Sequence, residues 1–297
     1  MTMSTTRAPK RRRLAASALE PIVMLGPGLA YLIVFVAVPT ALVLGYAFAQ
    51  PGGLLGGVTW SFSLDNFARL FEPTYLKVLA TSIWVAFGAT VIALAIGYPT
   101  AYAMTLLSDR WRLIALVAVL VPFWTNFLIR MYAWLVLLNT QGPVNDALIG
   151  LGLIDDPIQL LYSKVTVMLG LSYSYLPLMI VPIYAALLKV DRELLEASAN
   201  LGALPPRTFA SVTGPLSLPG VISGSIFVFV PSLGNFVVPE LLGGGKFQMV
   251  GNVIRTQFLS TRDWPFGAAL AMVVVAMLLL LFAVQSWVTR RVGGESP

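Results

Sequence analysis

Residues 190–221, VDRELLEASANLGALPPRTFASVTGPLSLPGV, interrupt an otherwise apolar chain with charges, a glycine and a proline pair. Asp191 is placed to cap a helix whose first turn carries Glu193, and both acids suit the positive end of the helix dipole. Leu194, Leu195, Ser198 and Leu201 recur on one side of that helix. Gly202 suits the left-handed residue that ends a helix, and Pro205 and Pro206 suit the first turn of the next one. The stretch therefore predicts a helix, a glycine bend and a second helix leading into an apolar span. Ala197, Ser198 and Ala199 are small enough to let a partner surface approach the backbone closely, while Glu196 offers a fixed charge. An ordinary short loop between spans has no need of such a face.

Outward from this break the chain is strongly apolar: 58% of its 297 residues are hydrophobic, only 11% are charged, and the mean hydropathy is +0.83. These values lie far outside soluble globular practice and predict an all-α membrane protein. Crossing about 30 Å of hydrocarbon takes roughly 20 helical residues, so the length allows about six spans and no large soluble domain. Apolar runs place them at 22–48, 78–106, 113–138, 165–188, 218–238 and 264–288. The domain organisation follows: a basic tail (1–21), a first span with its outer loop (22–77), a five-helix core (78–288) containing the polar loop 189–217, and a second tail (289–297). The first apolar run is too long for a signal peptide and reads as a retained anchor. Cysteine and histidine are both absent. Thiolate chemistry is thereby excluded, and the commonest metal ligand and general base are missing, so no catalytic or metal site is expected.

Orientation follows from Lys and Arg. With the N-terminus inside, twelve of these residues fall in inside segments and six outside, while Arg130 lies within a span. Both termini are therefore expected in the cytoplasm, and the polar loop with them. The net charge of +6 reads as a topology signal and an affinity for anionic lipid, with no nucleic-acid partner expected.

Glu196, Ala197, Ser198, Gly202 and Gly214-Pro215-Leu216 resemble the cytoplasmic signature of the permease subunits of binding-protein-dependent ATP-binding-cassette importers. Ser198 stands for the signature's second Ala and Gly214 for a usual hydrophobic residue. The resemblance implies the type I (MetI-like) permease fold, with the helix around Glu196 to Gly202 as a coupling helix seated on a separate ATPase dimer. Leu201 and Arg207 belong to the same coupling segment. The runs 122–134 (PFWTNFLIRMYAW), 142–163 (GPVNDALIGLGLIDDPIQLLYS) and 229–254 (FVPSLGNFVVPELLGGGKFQMVGNVI) are similar to spermidine and putrescine permeases, and the likeness extends over 18–288. It implies a bacterial inner-membrane importer containing this subunit, a second related permease, the ATPase and an external polyamine-binding protein. This chain would hold no cofactor, ATP being bound by the partner.

Gly243-Gly244-Gly245-Lys246 superficially resembles a phosphate-binding loop. Glu240 stands where the first glycine is required and Phe247 where Ser or Thr is required, so the segment reads as a turn outside the fifth span.

Candidate pathway residues come from polar groups within spans. Phe123, Asn126, Arg130 and Trp134 recur at helical spacing and are expected to share one face, which lines a cavity or forms interhelical hydrogen bonds. Arg130 is awkward beside a cationic substrate, so pairing with an acid fits it better. In the fifth span Ser232 and Asn235 share a face, and Pro231 and Gly234 allow a local break of the kind that faces a transport path. Glu240 is the carboxylate expected nearest the outer mouth, placed to meet an ammonium group. Trp124, Tyr173 and Tyr175 offer aromatic surface, or serve as interface packing.

The mechanism expected is alternating access. A loaded binding protein docks on outer loops 139–164 and 239–263, and ATPase closure moves the helix around Glu196. Related scaffolds carrying ferric iron, inorganic anions or other organic cations remain alternatives. An ATPase-independent secondary transporter would be expected to show more buried acids or inverted repeats.

Overall fold

A computed structural model describes residues 26–52 and 57–293, with side chains through residue 286. The expected tail 1–21 and the first residues of the first span lie outside the described residues. The described residues are mostly helical. Helix α1 spans Gly26–Ala47, and a two-stranded antiparallel hairpin follows, β1 (Gln50–Pro51) with β2 (Val58–Thr59). A short α2 (Asp65–Arg69) leads to the long α3 (Pro73–Thr105). Helices α4 (Asp109–Trp124), α5 (Phe127–Leu137) and α6 (Pro143–Gly150) precede α7 (Lys164–Leu187). The polar loop contains α8 (Arg192–Asn200), and α9 runs through Pro205–Gly234. Helices α10 (Val237–Gly243), α11 (Val250–Leu259) and α12 (Trp264–Gly293) complete the chain.

Among the described residues five helices, α1, α3, α7, α9 and α12, are long and apolar enough to cross a membrane, and counting the bent pair α4–α5 as one span gives six. The core is the mutual packing of α3, α7 and α9. Met179, Ile180 and Ile183 of α7 are enclosed with Ala93 and Ala101 of α3 and Val228 of α9. Close approach requires a missing side chain at Gly220, where a Cβ would lie 2.6 Å from the Pro182 carbonyl oxygen and from Ala186 Cβ. Hydrogen bonds reinforce this packing in hydrocarbon: Ser172 Oγ donates to the Ala89 carbonyl at 2.8 Å, joining α7 to α3. By contrast α1 is exposed along its membrane-crossing length and rests chiefly on α12. Buried Asn66 holds its end in place by donating to the carbonyls of Ala47 (3.1 Å) and Ala49 (2.7 Å).

Three expectations are corrected. The third span is not one helix over 113–138: α4 and α5 meet at 90° around Thr125. Thr125 is extended (ψ 158°), and the Asn126 side chain accepts from the Leu128 and Ile129 amides, starting a new helix in a new direction. The fifth span begins earlier than expected, as α9, and after its break continues through α10 to Gly243. The last helix runs beyond 288 to Gly293.

Candidate functional site: a docking helix and a broken span

α8 has the local chemistry expected of it. Asp191 Oδ1 accepts from the Glu193 amide at 3.2 Å. At the other end Gly202 adopts φ +80°, and the amides of Gly202 and Ala203 donate to the carbonyls of Ala199 (2.9 Å) and Ser198 (3.1 Å). This paired closure satisfies the last carbonyls and turns the chain sharply, so that Pro205 opens α9 at once. The leucine face is split, contrary to expectation. Leu195 and Ser198 turn inward, the latter 3.0 Å from the Thr208 hydroxyl, whereas Leu194 is exposed and Leu201 is 89% exposed. Glu196, Ala197 and Arg207 are exposed as well. α8 is thus a small-residue helix projecting from the bundle, followed by an exposed Leu201 at its end and an exposed Arg207 in the first turn of α9.

Glu196 also borders a cavity of about 780 Å³, between α8 and the turn joining α3 to α4. Arg112 organises that turn. Its Nη2 donates to the carbonyls of Thr105 (3.0 Å) and Leu107 (3.2 Å), and its Nη1 meets Asp109 at 3.2 Å. Its position four residues after Ser108, at the start of α4, is the only trace of this role in the sequence.

Farther along the bundle the break in the fifth span brings other expected residues together. α9 ends at Gly234, Asn235 is extended (ψ 131°), and its Oδ1 accepts from the Val238 amide at 2.9 Å, capping α10. Its Nδ2 donates to the Tyr175 hydroxyl at 2.8 Å, midway along α7. Ser232 is fully buried nearby in sequence, and its hydroxyl has no hydrogen-bond partner among the described residues. Asn252 donates to the Phe236 carbonyl at 2.9 Å, fixing the break from the α11 side.

The stripe expected on the third span does not form, because the bend separates Phe123 from Arg130 and Trp134. Arg130 nevertheless lies 5.9 Å from the centroids of both the Phe123 and Phe127 rings, one on each side of the bend. Trp134 meets Tyr173 edge-on at 5.5 Å. Trp124 and Asn126 are exposed at the bend itself, and Asn126 acts as a helix cap.

Glu240 is paired within the chain and half-exposed. Both carboxylate oxygens accept from Arg255 Nη1, at 3.0 and 2.9 Å, and the Arg255 guanidinium stands over the Phe236 ring at 5.5 Å. At the same end of the bundle Gly243–Lys246 forms the turn after α10.

Sequence reading missed two polar anchors of this end. Asn145 is fully buried; its Nδ2 donates to the carbonyls of Asn139, Thr140 and Ile158, and its Oδ1 accepts from the Ile158 amide. Arg69 meets Asp263 at 2.8 Å and covers the Phe266 ring at 4.0 Å. Burial opposes the arginine charge, but the hydrogen bond and attraction of Asp263 outweigh it and hold the guanidinium above its ordinary value.

Residues 93–294, which include α8 and the broken span, match the family described as the binding-protein-dependent transport system inner membrane component. The chain is 40% identical over 255 residues to the spermidine/putrescine transport system permease protein PotB of Escherichia coli (strain K12), covering 85% of this chain and 92% of that protein. Its PotB counterpart in Haemophilus influenzae is 42% identical over 253 residues, covering 85% and 88%. Among solved structures, a chain of a bacterial ABC transporter involved in the import of the acidic polysaccharide alginate superposes with a TM-score of 0.76 at 17% identity, covering 94% of this chain and 99% of that one. A chain of the MetNI methionine ABC transporter, in an inward-facing conformation, gives 0.56 at 15% identity, covering 75% and 98%. The helical bundle, its membrane-crossing helices and these matches agree: the chain is a multi-pass membrane protein of the binding-protein-dependent transport system inner-membrane-component family, with the type I importer permease fold.

Proposed function

We propose that this chain is the membrane subunit of an ATP-driven importer that takes up polyamines, spermidine or putrescine, across the bacterial inner membrane. The observation that carries the reading is the 40% identity to spermidine/putrescine permeases over 85% of the chain. The exposed, glycine-terminated α8 supports the coupling half of the proposal. With the bend that follows it and the first turn of α9, it offers Glu196, Ala197, Leu201 and Arg207 to a separate ATPase dimer, where closure of the ATPase displaces the helix as a lever. ATP is bound and hydrolysed by that partner, and this chain performs no covalent chemistry and holds no cofactor.

A second related permease completes the path, with substrate arriving from an external binding protein docked on the end that carries α6, α10 and α11. Both termini and α8 then face the cytoplasm. The path passes the break in the fifth span, where half-buried Asn235 and Tyr175 present amide and hydroxyl groups in front of the buried Ser232, and the bend at Trp124 and Asn126. Uncharged acceptors and aromatic surfaces hold an ammonium chain weakly, which suits passage rather than storage. Glu240 contributes as one half of a neutral pair with Arg255 at the outer mouth. Arg130, shelved between aromatic rings within the span, pairs with an acid of the second permease.

The reading is tested by expressing the chain with its partner subunits in cells lacking polyamine import and following labelled spermidine. Uptake that putrescine competes, and that ferric iron and inorganic anions do not, is expected. Competition by an anion or ferric iron instead would overturn the substrate assignment while leaving the coupling half standing.

A further inference from the structure

α8 joins the bundle through the Ser198–Thr208 contact, and Thr208 is followed at once by a π-helical turn, Phe209–Thr213, within α9. The wide turn is closed by the Gly214 amide donating to the Phe209 carbonyl. Such a turn interrupts the regular hydrogen-bond ladder and is a place where a helix yields. A displacement of α8 entering at Thr208 would be absorbed there unless something bridged the turn.

Phe209 and Tyr98 supply that bridge. The Phe209 ring is met edge-on by Tyr98 at 5.6 Å (84°) and by Tyr102 at 6.1 Å (87°), two residues one turn apart on α3. The Tyr98 hydroxyl lies 2.8 Å from Ser217 Oγ, on α9 beyond the π-helical turn, and Ser217 is fully buried. The load thus has a route from α8 through Thr208 to Phe209, across to α3, and back into the membrane part of α9 through Ser217. Each edge-to-face contact is favourable beyond the area it buries, and the partly buried Tyr98–Ser217 hydrogen bond ties the far end.

We infer that Phe209 is a positioning residue of the transport cycle: 40% exposed but packed edge-on against both Tyr98 and Tyr102, it carries the movement of α8 across the π-helical turn into α3 and α9. The inference rests on the proposed role of α8 as the ATPase-driven lever. Without that packing, α8 still docks and follows the ATPase, but the π-helical turn flexes and the spans lag behind.

The test uses the whole transporter with its loaded binding protein in proteoliposomes, measuring ATP hydrolysis and spermidine uptake on the same preparation. Phe209→Ala is expected to lower uptake per ATP about tenfold, a typical coupling magnitude, while binding-protein-stimulated hydrolysis continues. Phe209→Trp keeps a ring between the tyrosines and is expected to hold the ratio. Tyr98→Phe keeps the ring contact but loses the Ser217 bond, and is expected to lower the ratio by less. If Phe209→Ala fails to assemble, Phe209→Leu and Tyr98→Phe carry the same comparison. An unchanged ratio, or uptake and hydrolysis falling in proportion, overturns the inference while a coupled wild type leaves the lever standing. A wild type that neither binds the ATPase nor couples removes both.

Discussion

Asn235 donates to the Tyr175 hydroxyl across 2.8 Å and at the same time accepts from the Val238 amide, so one side chain both caps α10 and ties the break in the fifth span to the middle of α7. Loss of Asn235 removes two interactions, and loss of the Tyr175 hydroxyl removes one. Asn235→Ala is therefore expected to destabilise the solubilised protein by about 1–3 kcal/mol, and Tyr175→Phe by about 1 kcal/mol. Thermal unfolding in detergent checks the order, and a larger effect from Tyr175→Phe would contradict the capping role.

Gly202 tests the local chemistry of α8. Its φ of +80° is strained for a side chain, yet a Cβ there would meet nothing within 4 Å. The penalty is then one of backbone alone, on the order of 1–2 kcal/mol for Ala and more for a β-branched residue, with Asn milder because it tolerates this conformation. Co-purification of the ATPase is expected to decline in the order Gly, Asn, Ala, Val. Equal recovery with all four would show that the bend does not position α8.

For Glu240 the geometry yields a double-mutant prediction. Glu240→Gln leaves Arg255 with an unpaired positive charge at the outer mouth, and polyamine uptake is expected to fall several-fold. Adding Arg255→Gln removes that charge and is expected to restore uptake. Persistent loss in the double variant would instead place the carboxylate in contact with substrate.

Arg69 joins α2 to the start of α12, where Asp263 also caps the helix by accepting from the Phe266 amide at 3.2 Å. Arg69→Ala is expected to destabilise this end by about 1–2 kcal/mol, because a partly buried ion pair and a cation–π contact each contribute modestly. The folded-state value of Arg69 is raised, so its contribution is fully present below the ordinary arginine value and is lost only as pH rises through the raised one. The difference in unfolding midpoint between wild type and Arg69→Ala should therefore show no arginine titration near neutral pH. Such a titration would mean that the guanidinium is not held as described.

What the sequence revealed was local. Asp191, Gly202 and the proline pair act within a few residues of themselves, so capping chemistry was enough to outline α8 and the start of α9. Hydropathy was enough to find the spans, but it could not reveal the 90° bend at Thr125, because apolar residues continue on both sides. Pro122 and the Thr125-Asn126 pair carry that signal, but Asn126 also fits a stripe with Phe123, Arg130 and Trp134 on one continuous helix. Ser232 and Asn235 were legible as a break because Pro231 and Gly234 flank them. The Glu240–Arg255 pair spans fifteen residues across a turn, and the Phe209 packing depends on contacts with a distant helix. Neither leaves a periodic trace, since helix packing rather than spacing brings those groups together.

Polyamine is expected to pass through this chain only when a separate ATPase drives it. The most direct measurement is labelled spermidine uptake into proteoliposomes containing this chain and its second permease, with the loaded binding protein outside, and with or without the ATPase and ATP inside. Uptake only when both ATPase and ATP are present is the result expected. Spermidine entry at the same rate without the ATPase would contradict the account.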